Sequence, residues 1–138
     1  MNVRGALITL TAALCAAALT AGCTDAAAEP PAAPVGKPTV VLVHGAFADS
    51  SSWNGVITQL EADGYPVIAA ANPLRGLASD AAYVRSVVDS VTGPVVLAGH
   101  SYGGSVISEA ADGRTKVKAL VYVASFILEV GESTGQLA

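Results

Sequence analysis

Residues 99–104 read Gly-His-Ser-Tyr-Gly-Gly, directly after the apolar run Gly93-Pro-Val-Val-Leu-Ala98. That order predicts a strand, a tight turn and a helix, with Ser101 at the tip of the turn. The corners, Gly99 and Gly103, suit a turn too sharp for a Cβ, where strand and helix approach closely. A serine hydroxyl presented in this way is a nucleophile for acyl transfer. It needs a base to take its proton, an acid to orient that base, and N–H donors for the developing oxyanion. The donors can be named from position: the amide of Tyr102, and that of Ala46 or Phe47 in the loop after an earlier strand. A helix starting at Tyr102 adds the positive end of its dipole.

The base and acid are harder to find. The only histidines are His44 and His100. His100 immediately precedes the nucleophile, so the turn directs its side chain away from the Ser101 hydroxyl and it is expected to pack beside the elbow. His44 ends the first strand and is expected to brace the oxyanion loop by hydrogen bonds; an improvised base is its alternative role. Glu129 and Glu132 follow the fourth strand and read as solvated loop carboxylates, with a triad acid as the alternative. Asp49 and Arg75 read as surface residues, with the rim of a pocket as the alternative. None of these residues reads first as the base or the acid that Ser101 needs.

The elements that must position Ser101 alternate regularly. Val40-Val-Leu-Val43 reads as a strand buried on both faces. Ser50-Ser-Ser52 offers caps for a helix at 53–62, closed by Asp63-Gly64. Val67–Ala71 is a second strand and Asn72–Gly76 a loop. Ser79 can cap a helix at 80–91 whose inner face carries Ala82, Val84, Val87, Val88 and Val91. Val95–Ala98 is the third strand, 102–111 a helix and Val117–Val123 the fourth strand. This order predicts an α/β fold: a parallel sheet with right-handed crossovers and helices on both faces. Sites in such sheets lie beyond the carboxyl ends of the strands, so the His44-Gly45 loop and the Ser101 elbow can meet.

Val-Leu-Val-His-Gly-Ala-Phe at 41–47, Trp53, Gly-His-Ser-Tyr-Gly-Gly at 99–104 and Ala-Leu-Val-Tyr-Val-Ala-Ser at 119–125 together resemble an α/β-hydrolase, over about residues 38–135. The smaller esterase, perhydrolase and hydroxynitrile-lyase-like branch is the most similar. The resemblance implies an esterase-like serine hydrolase with a small-molecule ester substrate and neither metal nor organic cofactor. It favours Ala46 over Phe47 as the oxyanion donor. It also implies that residues 39–138 are the N-terminal part of the domain, truncated after about four strands, with the acid and histidine of the triad expected beyond residue 138. The mostly apolar strand at 117–123 would then be an open edge, and self-association of the isolated chain is expected. Lyase or perhydrolase chemistry would use the same motif. The competing non-enzymatic reading is a surface lipoprotein or binding protein that reuses a partial hydrolase fold.

The whole chain has 138 residues, 52% hydrophobic and 13% charged, which is room for one globular domain. Its net charge of −4, with no Lys/Arg cluster, argues against nucleic acid as a partner. Residues 1–22 have the charged start, apolar middle and small residues of a secretory signal. The middle is too short and Ala-rich to favour a membrane span. Cys23 follows Leu19-Thr-Ala-Gly22 in a pattern that resembles a lipobox, so Cys23 is a candidate lipidation site and the membrane contact a lipid anchor. Ordinary cleavage near Ala21 or Ala28, leaving a secreted protein with a free Cys23, is the alternative. Cys15 lies inside the leader, so the mature chain has no disulfide pair. Residues 23–38 form a Pro/Ala-rich linker.

Overall fold

In the computed structural model the described residues are 36–127. Residues 1–22, expected as a leader, Cys23, most of the expected linker 23–38, and Glu129 and Glu132 lie outside them. Four strands, β1 (Thr39–Val43), β2 (Val67–Ala70), β3 (Val95–His100) and β4 (Val117–Val123), form one parallel sheet in the order β2-β1-β3-β4. Helices α1 (Asn54–Ala62), α2 (Leu77–Ser90) and α3 (Tyr102–Ala111) make the crossovers. The fold is α/β, with the alternation of strand and helix that the sequence pattern predicts.

Strand alternation splits the core in two. Val41, Val43 and Leu97 face α2 and α3, where Val84, Val88, Val106 and Ile107 meet them. Val40, Leu42 and Ala98 face the other way, onto Trp53 and the partly buried Ile57 and Leu60 of α1. Both halves exclude water because β1 is central and carries apolar residues in both directions. Arg85 Nη2 donates to the Glu109 carbonyl at 2.7 Å, joining α2 to α3. Lys116 Nζ donates to the Val91 carbonyl at 2.7 Å, which places a cation at the end of α2 where the exposed carbonyls and the dipole favour one.

The local differences from expectation have simple causes. The cap ahead of α1 is Asp49, not Ser50–Ser52: its carboxylate accepts from the Ser51 amide at 2.8 Å and opens a 3-10 turn, Ser50–Trp53. A short acid in extended backbone does this as well as a serine. The same bonds, the Ser51 hydroxyl first, hold the Asp49 carboxyl below its ordinary pKa. Helix α2 starts three residues early, after Gly76 at φ 139°. Ser79 does not cap it but donates to the Gly76 carbonyl at 2.9 Å. Ala81 is buried on the same face as Val84 and Val88, whereas Ala82 is exposed.

Candidate active site

The turn after β3 carries the strain. Ser101 sits at φ 51°, ψ −122°, a conformation that a side chain rarely adopts and that costs about 1–3 kcal/mol. Three hydrogen bonds hold it there. The Ser101 amide donates to the Val123 carbonyl at 3.0 Å, and the Ser101 carbonyl accepts from the Gly104 amide at 2.9 Å and from Ser125 Oγ at 2.7 Å. Ser101 itself is exposed.

Each glycine of the motif has a distinct neighbour. A Cβ on Gly99 would strike the Gly103 carbonyl, and one on Gly103 would strike the Val43 carbonyl at the end of β1. A Cβ on Gly104 would strike Ser125. The first two are the corners singled out by the motif. The third is not evident from sequence, because the residue it meets is 21 positions away, after β4 (125 − 104).

The loop after β1 does reach the elbow. A Cβ built on Gly45 would stand 3.1 Å from His100 Nδ1 and 3.2 Å from Ser101 Cβ. The Ala48 amide donates to the Gly45 carbonyl at 3.3 Å and closes a turn with Ala46 and Phe47 at its centre. The amides of those central residues take no part in the turn's own bond. Tyr102, the first residue of α3, likewise has an amide with no acceptor inside its helix. Ala46 and Phe47 are exposed and Tyr102 is partly buried.

His44 is buried, and its Nδ1 stands 2.9 Å from the Gly45 carbonyl. A carbonyl only accepts, so Nδ1 carries the proton and the ring braces the turn. His100 lies against Gly45, beside the elbow. Arg75 is exposed at the end of the loop after β2.

A family model, the alpha/beta hydrolase family, matches residues 40–138. The chain belongs to the alpha/beta hydrolase family. It is 31% identical over 121 residues to the alpha/beta hydrolase nvfD of Aspergillus novofumigatus, covering 73% of this chain and 48% of that one. It is 32% identical over 108 residues to a putative chloroplastic methylesterase of Arabidopsis thaliana, covering 68% and 28% respectively. Among solved structures, polyneuridine aldehyde esterase superposes with a TM-score of 0.63 at 25% identity, over 70% of this chain and 44% of that one. The chain thus spans about half or less of the length of these hydrolases.

One residue beside the hydrolase elbow is not singled out by its sequence. Asp80, in the first turn of α2, is fully buried. It accepts from the Tyr102 hydroxyl at 2.7 Å and from the Arg75 amide at 3.0 Å. Burial pushes its pKa upward, but the hydrogen bonds from Arg75, Tyr102, Gly76 and Ser79 together outweigh that and leave it below the ordinary value. Burial, and then the bond to Asp80 and its charge, push the Tyr102 hydroxyl pKa far up, so Tyr102 stays a donor. An acid at a helix start usually reads as a solvated dipole partner, and only the contact with Tyr102 reveals otherwise.

Proposed function

We propose that this chain carries the nucleophile and oxyanion part of an exported serine hydrolase that cleaves small-molecule esters. Ser101 Oγ attacks the ester carbonyl and the alcohol leaves with a proton. Water then cleaves acyl-Ser101 and releases the acid. Oxyanion charge falls on the amides of Tyr102 and Ala46, or of Phe47 in Ala46's place. The observation that carries the reading is the Ser101 backbone at φ 51°, held against its own strain next to the Gly45 loop. Strain of this kind is held at functional sites, where it presents a reacting group in a fixed position.

The reading requires a histidine base and an orienting acid, and it assigns both to sequence following residue 138 in the intact protein. The shares of the esterases and hydrolases that this chain matches support that assignment. Substrate preference would be set there too. The leader at 1–22 and Cys23 support export, with a lipid anchor on Cys23 holding the domain at the cell envelope. Palmitate incorporation that survives Cys23→Ser would remove the anchor from this reading.

The test of the chemistry is Ser101→Ala in the intact gene product. Hydrolysis of p-nitrophenyl acetate is expected to fall by about 10³-fold or more, and fluorophosphonate labelling to vanish. Wild-type turnover in Ser101→Ala would end the serine mechanism.

A further inference from the structure

Asp80 makes a poor surface acid and an expensive core residue. A buried carboxylate without partners is strongly disfavoured, and among the described residues no cation is bonded to this one. Its compensation comes from four donors of two kinds. Three are local: the Arg75 amide at 3.0 Å, the Gly76 amide at 3.4 Å and the Ser79 hydroxyl at 3.5 Å. They tie the carboxylate to the loop after β2, where Leu74 (φ 57°) and Gly76 (φ 139°) both have left-handed backbone. The fourth is the Tyr102 hydroxyl at 2.7 Å, the shortest of the set and 22 residues away in sequence.

Tyr102 occupies the position after the nucleophile. Its amide is a proposed oxyanion donor, and its amide plane is shared with the Ser101 carbonyl. Rotating the Tyr102 backbone therefore moves the donor and disturbs the strained Ser101 together. Tethering the far end of the ring opposes that rotation, because the ring also packs against the α2–α3 side of the core. Charge-assisted bonds of this length are roughly twice as strong as neutral ones. The raised Tyr102 pKa keeps the proton on the hydroxyl at working pH.

We propose that Asp80 is a positioning residue for acyl transfer, holding the oxyanion amide of Tyr102 and the Ser101 turn in register with the loop after β2. The inference rests on the serine-hydrolase reading. It adds to that reading a residue outside the motif, acting through Tyr102.

Two variants test it in the intact protein, with p-nitrophenyl acetate as substrate. Tyr102→Phe keeps the ring and the amide and removes only the tether. Asp80→Asn removes the charge from the other end. Positioning predicts a fall in kcat of about tenfold in each, with KM within about twofold, and no further loss in the double variant, since either change breaks the same contact. A contact that only stabilises the fold would lower Tm and leave kcat of the folded protein unchanged. Full kcat in folded Tyr102→Phe therefore overturns the inference, whether or not Asp80→Asn folds. Ser101→Ala runs alongside: if it is inactive while Tyr102→Phe keeps full kcat, only the positioning role falls. If Ser101→Ala keeps its activity, the serine mechanism and this role fall together.

Discussion

Leu42 and Val121 lie in one row across the sheet. Leu42 pairs with Ala98, and Ala98 with Val121, so the three side chains point to the same face. Along that row exposure climbs from 1% at Leu42 to 7% at Ala98 and 45% at Val121. Their strands are similar in kind, Thr-Val-Val-Leu-Val against Val-Lys-Ala-Leu-Val-Tyr-Val. What differs is the surroundings. β1 has a neighbour on each side, and Trp53 and α1 lie over it. Among the described residues β4 has only β3 beside it, and only its Leu120 and Tyr122 side packs, against the α2–α3 half of the core. An apolar run thus specifies a strand, while its cover is decided by elements elsewhere in the chain.

The two strands meet the elbow differently as well, and this gives the largest expected effect. Gly103 faces the carbonyls of Val43 and His44, which are backbone at the end of a buried strand. Gly104 faces the Ser125 side chain, after the edge strand. Backbone fixed on both sides cannot yield, whereas a loop serine can turn. Gly103→Ala is expected to cost at least about 3 kcal/mol, a large share of the roughly 5–15 kcal/mol that holds a domain together. Gly104→Ala should cost less, and Ser125→Gly in the same chain should recover part of the loss. Urea melts of the three variants check this. Equal losses at Gly103 and Gly104, with no recovery, would mean that the end of β4 is as rigid as the end of β1.

Next in size is Leu42→Ala, expected to cost about 2–5 kcal/mol because the cavity opens between the central strand and α1. The same melts measure it. A loss below about 1 kcal/mol would show that α1 collapses onto the gap and is not held by the strand.

Acid should separate the two regions by a different route. Residues 117–127, comprising β4 and the four residues after it, contain no Asp or Glu, whereas the α2–α3 side buries Asp80. The Asp80 carboxyl is lowered in the folded protein, so the folded state binds its proton less readily than the unfolded chain. Its contribution is therefore fully present above the unfolded value of about 3.9. It is lost as pH falls through the lower folded value. Stability against pH should show this acid limb in the wild type and a flatter one in Asp80→Asn. An identical limb in both would place the acid sensitivity elsewhere.

Much of this arrangement is legible in the residues, and the exceptions share a cause. The four apolar runs are four strands, and Gly99 and Gly103 read as corners because their constraint is local. The start of α2 is misplaced by sequence because Ser79 looks like a cap, while Gly76, which can take φ 139°, ends the loop instead. The inner face takes Ala81, three residues before Val84, and leaves Ala82 exposed. Asp80 and Ser125 escape notice because each is defined by a partner distant in sequence, Tyr102 and Ser101. Local rules find turns and strands; they do not find what a turn leans on.

The smallest expected effect is also the one that tests the row most directly. Val121→Thr keeps the β-branched shape that a strand favours and exchanges a methyl for a hydroxyl. At a position 45% exposed, the hydroxyl reaches water, so the change should stay within about 0.5 kcal/mol. The same exchange in a fully buried position such as Val41 strands a hydroxyl without a partner and costs about 1–3 kcal/mol. Urea melts of Val121→Thr and Val41→Thr, read side by side, give the contrast as one number. If Val121→Thr costs as much as Val41→Thr, then Val121 is covered in solution, by residues outside 36–127 or by another molecule. Sedimentation velocity on the same samples separates those two cases, because only cover by a second copy is lost on dilution.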